Sequence, residues 1–107
     1  MVRISILYPK AKGSKFDFPY YVDRHMPRSI ALLSAHPGFH GVSVEKGVSG
    51  AQPDSDPAYV AMCHFLFDSV DSFLAAFMPH APELQGDIPN YTDVTPVIQI
   101  NQVLISR

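Results

Sequence analysis

The chain is poor in the residues and patterns that mark exported, metal-bound or nucleotide-dependent proteins. It carries one cysteine, Cys63, in 107 residues, so an internal disulfide is excluded. The opening run Met1-Val2-Arg3-Ile4-Ser5-Ile6 lacks the basic segment and following apolar stretch of an export signal. Both absences predict a cytoplasmic, reducing location. No apolar run nears the roughly 18 residues that cross a bilayer, because Arg3, Asp68, Asp71 and several prolines interrupt each candidate. No membrane contact is expected. Without export, the Asn90-Tyr91-Thr92 glycosylation triplet is an accidental match.

Metal motifs are missing too: there is no HExxH, no CxxC and no facial carboxylate pattern. His36 and His40 are four apart, but Pro37 and Gly38 between them prevent the helical turn that would bring both rings to one ion. No glycine-rich phosphate loop, dinucleotide fingerprint or Ser-His-Asp candidate occurs, so neither a metal nor a cofactor is expected.

What the chain does contain is an ordinary core-and-shell composition, with 47% apolar residues, 17% charged residues and a net charge of −2. Its length allows one domain spanning 1–107. Residues 1–50 hold seven Lys/Arg against three Asp/Glu, and residues 51–107 hold one against seven. The basic residues are scattered and match no nucleic-acid-binding signature, so no nucleic acid is expected as partner.

Val2, Ile4, Ile6 and Tyr8 alternate with Arg3, Ser5 and Leu7, which predicts a strand over about residues 2–8. Asp17 caps a helix with Pro19 in its first turn, and Pro27 is expected to split that helix into pieces near 17–26 and 27–34. After the His36-Pro37-Gly38 turn, Val42 and Val44 mark a second strand, followed by a long polar loop over 49–57. Tyr59 to Phe67 reads as a strand apolar on both faces. Asp68 is expected to cap a second helix with a Val70, Phe73, Ala76, Phe77 stripe, closed by Pro79. A short helical turn then ends at Gly86, and Val97 to Ile105 reads as a last strand.

The order β-α-β-β-α-β implies an α+β, ferredoxin-like fold, a four-stranded antiparallel sheet with helices on one face. The other face is left uncovered. Alternation places Arg3, Ser5, Leu7, Glu45, Met62, His64, Gln99 and Asn101 on it, a mixture too apolar for bare water and too polar for a dry core. Such a face suits a homodimer interface enclosing a cavity for a small apolar organic ligand.

Three segments carry a resemblance. The Tyr20-Tyr21-x-x-x-His25-x-Pro27 pattern, the stretch Asp87-Ile88-Pro89-Asn90-Tyr91-Thr92-Asp93, and the strand with Gln99-Ile100-Asn101-Gln102-Val103 resemble the EthD family, associated with ethyl tert-butyl ether degradation. The resemblance implies membership of the dimeric α/β-barrel superfamily, in which two ferredoxin-like sheets pair. It also implies small-molecule catabolism of an oxidoreductase kind, alongside relatives that isomerise, cyclise, dehydrate or oxygenate without a cofactor. It points to Tyr21 and His25 as site residues.

The residues themselves agree with that choice. Tyr21 and His25 are four apart and share a helical face. An imidazole moves protons near neutral pH, and a phenol donates to a carbonyl or oxyanion. His64 and Met62, across from Gln99 and Asn101, are expected to contact substrate in the intersubunit cavity. Glu45 is expected to pair with Arg3, and Cys63 to be an inert buried thiol. With no redox group in the chain, an oxidation would need the substrate, oxygen or a partner oxidative enzyme to complete it. Three readings stay open: an acid–base enzyme using His25, a non-catalytic binding dimer for a hydrophobic metabolite, and a purely structural dimer.

Overall fold

In the computed structural model, which describes residues 1–107, the strands are β1 (Val2–Pro9), β2 (Phe39–Lys46), β3 (Tyr59–Phe67) and β4 (Val97–Gln102). Between β1 and β2 run α1 (Phe18–Tyr20), a π-helical turn (Tyr21–His25) and α2 (Met26–Leu33). Between β3 and β4 run α3 (Val70–Phe77) and α4 (Ala81–Gly86), joined by a 3₁₀ turn at Met78–His80 and followed by another at Ile88–Asn90. All strands pair antiparallel in the order β2-β3-β1-β4. Each helical crossover therefore skips one strand, the ferredoxin-like arrangement expected from the element order.

Register fixes which side chains share a face. Ile6 lies opposite Cys63 and Ile98, whereas Ser5 lies opposite His64 and Gln99. Ile4, Tyr8, Ala61, Cys63, Phe65 and Phe67 are buried under the helices. On the other face Val60, Met62, His64 and Leu66 are only half-buried, so β3 is buried on one side and not on both.

Three local expectations need correction. Pro27 does not split the helix: residues 18–33 run continuously because a π turn, with the Met26 N–H bonded to the Tyr21 carbonyl, opens the backbone where the proline ring would meet the preceding turn. Ser69, not Asp68, caps α3; it is the extended residue at φ −155°, and its Oγ accepts from the Ser72 N–H at 3.1 Å. Asp68 instead donates its N–H to the Gly38 carbonyl at 2.9 Å, and Gly38 sits so close that a Cβ there would come within 2.6 Å of Ser72. As expected, α3 ends just ahead of Pro79, which lies in the 3₁₀ turn leading into α4. β4 stops at Gln102, leaving Leu104 and Ile105 exposed beyond it.

Candidate active site

A mostly apolar void of about 150 Å³ lies inside the subunit, between the helices and the sheet. Ile4, Ile6, Cys63 and Phe65 form its floor, while Tyr21, His25 and Ser29 stand on its helical side. Phe73 and Phe77, expected as core, stack at 5.4 Å and also line it. No Lys, Arg, Asp or Glu reaches the lining. Leu74, Met78 and Ile98 line the cavity and are 41%, 60% and 51% exposed, so its mouth opens between α3 and the edge strand β4.

This is a different place from the intersubunit cavity expected on the uncovered face, which has its own hollow lined by Arg3, Ser43, Glu45, His64 and Leu66. Alternation did assign the faces, but the void is on the helix side, where small Ser29 and Cys63 line it. Tyr21 and His25 are brought together there, rings 5.9 Å apart and nearly parallel at 13°. His64, Met62, Gln99 and Asn101 are on the far side of the sheet.

His25 is the centre of a hydrogen-bond chain. Its Nδ1 is 2.8 Å from Asp87 Oδ2, and the ring is 7% exposed. The other oxygen of Asp87 accepts from the Tyr20 hydroxyl at 2.6 Å and from Asn90 Nδ2 at 2.9 Å. On the far edge of the imidazole, Nε2 is 3.3 Å from the Tyr91 hydroxyl, which is 2.6 Å from the Tyr8 hydroxyl. The partners assign the proton order: Tyr8 donates to Tyr91, Tyr91 to Nε2, and Nδ1–H to Asp87.

Burial works against a charge on Asp87, yet the donors Tyr20, Asn90 and His25 together outweigh it and hold the carboxyl below its ordinary range. Asp87 is therefore an anion at neutral pH, positioned to steady an imidazolium. The phenols go the other way. Burial pushes Tyr8 up to about 12 and raises Tyr21 and Tyr91 as well, so all three remain proton donors at neutral pH. Burial also pushes the Cys63 thiol up to about 12, which makes it a poor nucleophile. One polar atom stands apart: the Tyr21 hydroxyl is buried and pairs with no protein group.

The uncovered face holds a second chain. His64 Nδ1 is 2.8 Å from Ser5 Oγ, which accepts from Asn101 Nδ2 at 3.3 Å, and Asn101 Oδ1 accepts from Gln99 Nε2 at 2.6 Å. Glu45 pairs with His64 Nε2 at 3.5 Å rather than with Arg3. Met62 stands beside this chain, opposite Leu7 and Glu45.

Sequence reasoning gave no role to Tyr8, Asp87 or Tyr91. Asp87 and Tyr91 lie in the segment that carried the resemblance, and a helix histidine that moves protons needs a carboxylate to orient it. That need was the available signal.

The EthD domain family matches residues 14–95. The chain belongs to the EthD family. An EthD-like protein from Ralstonia eutropha JMP134 is 43% identical over 99% of this chain and 94% of that one, with a TM-score of 0.91. An ethyl tert-butyl ether degradation (EthD) family protein from Bacillus halodurans is 18% identical, with a TM-score of 0.64 over 97% of this chain and 99% of that one. SnoaB, a cofactor-independent oxygenase from Streptomyces nogalater, shares the fold at 16% identity and a TM-score of 0.57, over 98% of this chain and 93% of that one. No protein of curated function matches the sequence. Tyr21, His25, Asp87 and Tyr91 all fall inside the EthD-matched residues, whereas Tyr8 and β4 fall outside them.

Proposed function

We propose that this EthD protein is a cofactor-free acid–base enzyme acting on a small, largely apolar organic compound bound between its helices and its sheet. The observation that carries this reading is His25, held at Nδ1 by anionic Asp87 while the same residue lines a cavity without charged residues. The 3.3 Å contact from Tyr91 to Nε2 is long for a hydrogen bond and readily yields to a substrate. His25 Nε2 then takes a proton from an acidic carbon or hydroxyl of the substrate and returns one to product. Asp87 is a positioning residue that stabilises the imidazolium between those steps. The Tyr21 hydroxyl donates to the oxygen on which negative charge develops.

Proton removal followed by return of that proton at another atom completes an isomerisation, and delivery of it to a departing hydroxyl, which leaves as water, completes a dehydration. With dioxygen as oxidant, or with a partner oxidative enzyme, the same carbanion enters an oxygenation. The structural likeness to a cofactor-independent oxygenase supports that extension. The uncovered sheet face supports a homodimer, because Leu7, Val60, Met62 and Leu66 stand there among the polar residues around His64. In this reading His64, Gln99 and Asn101 belong to the subunit interface.

Deuterium wash-in from D₂O at the α-carbons of cyclohexanone, followed by proton NMR, tests the acid–base reading. Wild-type protein should accelerate exchange, and His25→Asn should lose roughly 100-fold of that acceleration while keeping its fold. Equal exchange by the two proteins would overturn it and favour a binding protein, a reading supported by the mostly apolar lining.

A further inference from the structure

We infer that the cavity selects neutral molecules about one ring in size that carry a single acceptor oxygen, with the Tyr21 hydroxyl as the residue that recognises that oxygen. The inference rests on the reading of this cavity as the site. Size comes first: about 150 Å³ is the volume of an apolar cavity that takes up benzene, and it leaves no room for a second fused ring.

Charge comes second. No Lys, Arg, Asp or Glu lines the space, so a carboxylate or ammonium entering it would lose its water and gain no counter-ion. The approach is equally apolar, since Leu74, Met78 and Ile98 frame the mouth. Met78, the most exposed of the three, has the flexible side chain best suited to admit a ring and close over it.

The oxygen is the third element. The other buried polar side chains of the lining are engaged: Tyr8 with Tyr91, His25 with Asp87 and Tyr91, and Ser29 with the His25 carbonyl at 3.0 Å. Only the Tyr21 hydroxyl, on a residue 1% exposed, has no protein partner. Its desolvation has already been incurred in folding, so an acceptor oxygen that reaches it as the surrounding side chains give way gains a hydrogen bond without further desolvation of the hydroxyl. A ketone, phenol or cyclic ether meets that requirement. A hydrocarbon of the same shape does not.

Calorimetric titration of wild type and Tyr21→Phe with four probes tests this: cyclohexanone, methylenecyclohexane, cyclohexanecarboxylate and 1-decalone. The expected result is that cyclohexanone binds wild type and loses roughly five- to tenfold in affinity in Tyr21→Phe. Methylenecyclohexane should bind both proteins alike, and the carboxylate and the bicyclic ketone should bind neither. The wild-type series tests size and charge without any substitution. Cyclohexanone that fails to bind wild type, a Tyr21→Phe protein with undiminished affinity, or uptake of the carboxylate or decalone would overturn the inference. Binding of cyclohexanone without deuterium wash-in would overturn the acid–base role of His25 alone and leave this selectivity standing.

Discussion

Replacing Tyr21 by phenylalanine should raise the stability of the ligand-free protein, against the usual direction for a change in a buried core. Tyr21 is 1% exposed, and its hydroxyl has no partner among the protein's groups. An unsatisfied buried hydroxyl costs about 1–3 kcal/mol. Phenylalanine keeps the ring and its edge contacts with Tyr8 at 5.8 Å and Phe16 at 4.9 Å while removing the orphan oxygen. Allowing for the dispersion lost with one atom, the net gain is about 1–2 kcal/mol. Over 107 residues the unfolding entropy is about 225 cal/mol/K, so the midpoint should rise by roughly 4–9 °C.

The control is Tyr91→Phe, the same chemical change at a site 2% exposed. It deletes the 2.6 Å and 3.3 Å contacts of Tyr91 and leaves the Tyr8 hydroxyl without its partner. The expected change is a loss of about 1–3 kcal/mol. Scanning calorimetry of the three proteins without ligand at pH 7 reads both. Opposite signs are required. If Tyr21→Phe lowers the midpoint as Tyr91→Phe does, its hydroxyl is satisfied within the protein, and the argument for it as a ligand donor collapses.

Two further outcomes follow from the same geometry. Tyr8, Tyr21 and Tyr91 have phenols raised above the usual value of 10.0 in the folded chain, with Tyr8 at about 12. Their stabilising effect is complete below pH 10 and is lost as pH rises from there through the folded values. Tyrosinate absorbance at 295 nm should therefore show these buried phenols ionising only together with loss of near-ultraviolet circular dichroism; ionisation near pH 10 with the fold intact would contradict the burial argument. Separately, Ser69→Ala should lower stability by about 1 kcal/mol through loss of the cap on the Ser72 N–H, whereas Asp68→Ala should leave that N–H satisfied. Urea unfolding of both variants decides which residue is the cap.

The alternation of β1 and β3 was enough to assign side chains to faces, because period-2 patterning and a buried face leave one workable register. It could not show that a void also forms on the helix side. A cavity is the space left when α2, α3 and the sheet fail to fill one another, and it depends at once on side chains of β1, β3, β4 and the helices. Asp68 and Ser69 are both good capping residues side by side, and only the backbone dihedrals of the folded chain choose between them. Proline at 27 was correctly read as a disturbance, but a helix has two responses, a break or a wider turn, and the folded chain takes the second. The Asp87–His25 pair joins residues 62 positions apart, which local spacing cannot register.

That pair also explains why the histidine is placed where it is. One edge of the His25 ring faces Asp87, whose side chain is 26% exposed in a surface groove shared with Arg24, Arg28 and Asn90. The other edge faces the Tyr91 hydroxyl, and the residue also lines the apolar cavity. Acid–base chemistry on an apolar compound needs two conditions that conflict, a site dry enough to hold the compound and a route by which protons equilibrate with water. In the proposed reaction a single imidazole reconciles them, because His25 lines both the apolar cavity and the surface groove that holds Asp87. The anionic carboxylate keeps Nδ1 protonated, so in the proposed reaction Nε2 is the nitrogen left to meet substrate. The π turn contributes by keeping Tyr21 and His25 stacked on the cavity side despite Pro27, so that the hydroxyl that would hold a ligand and the imidazole that would deprotonate it are fixed by one stretch of backbone.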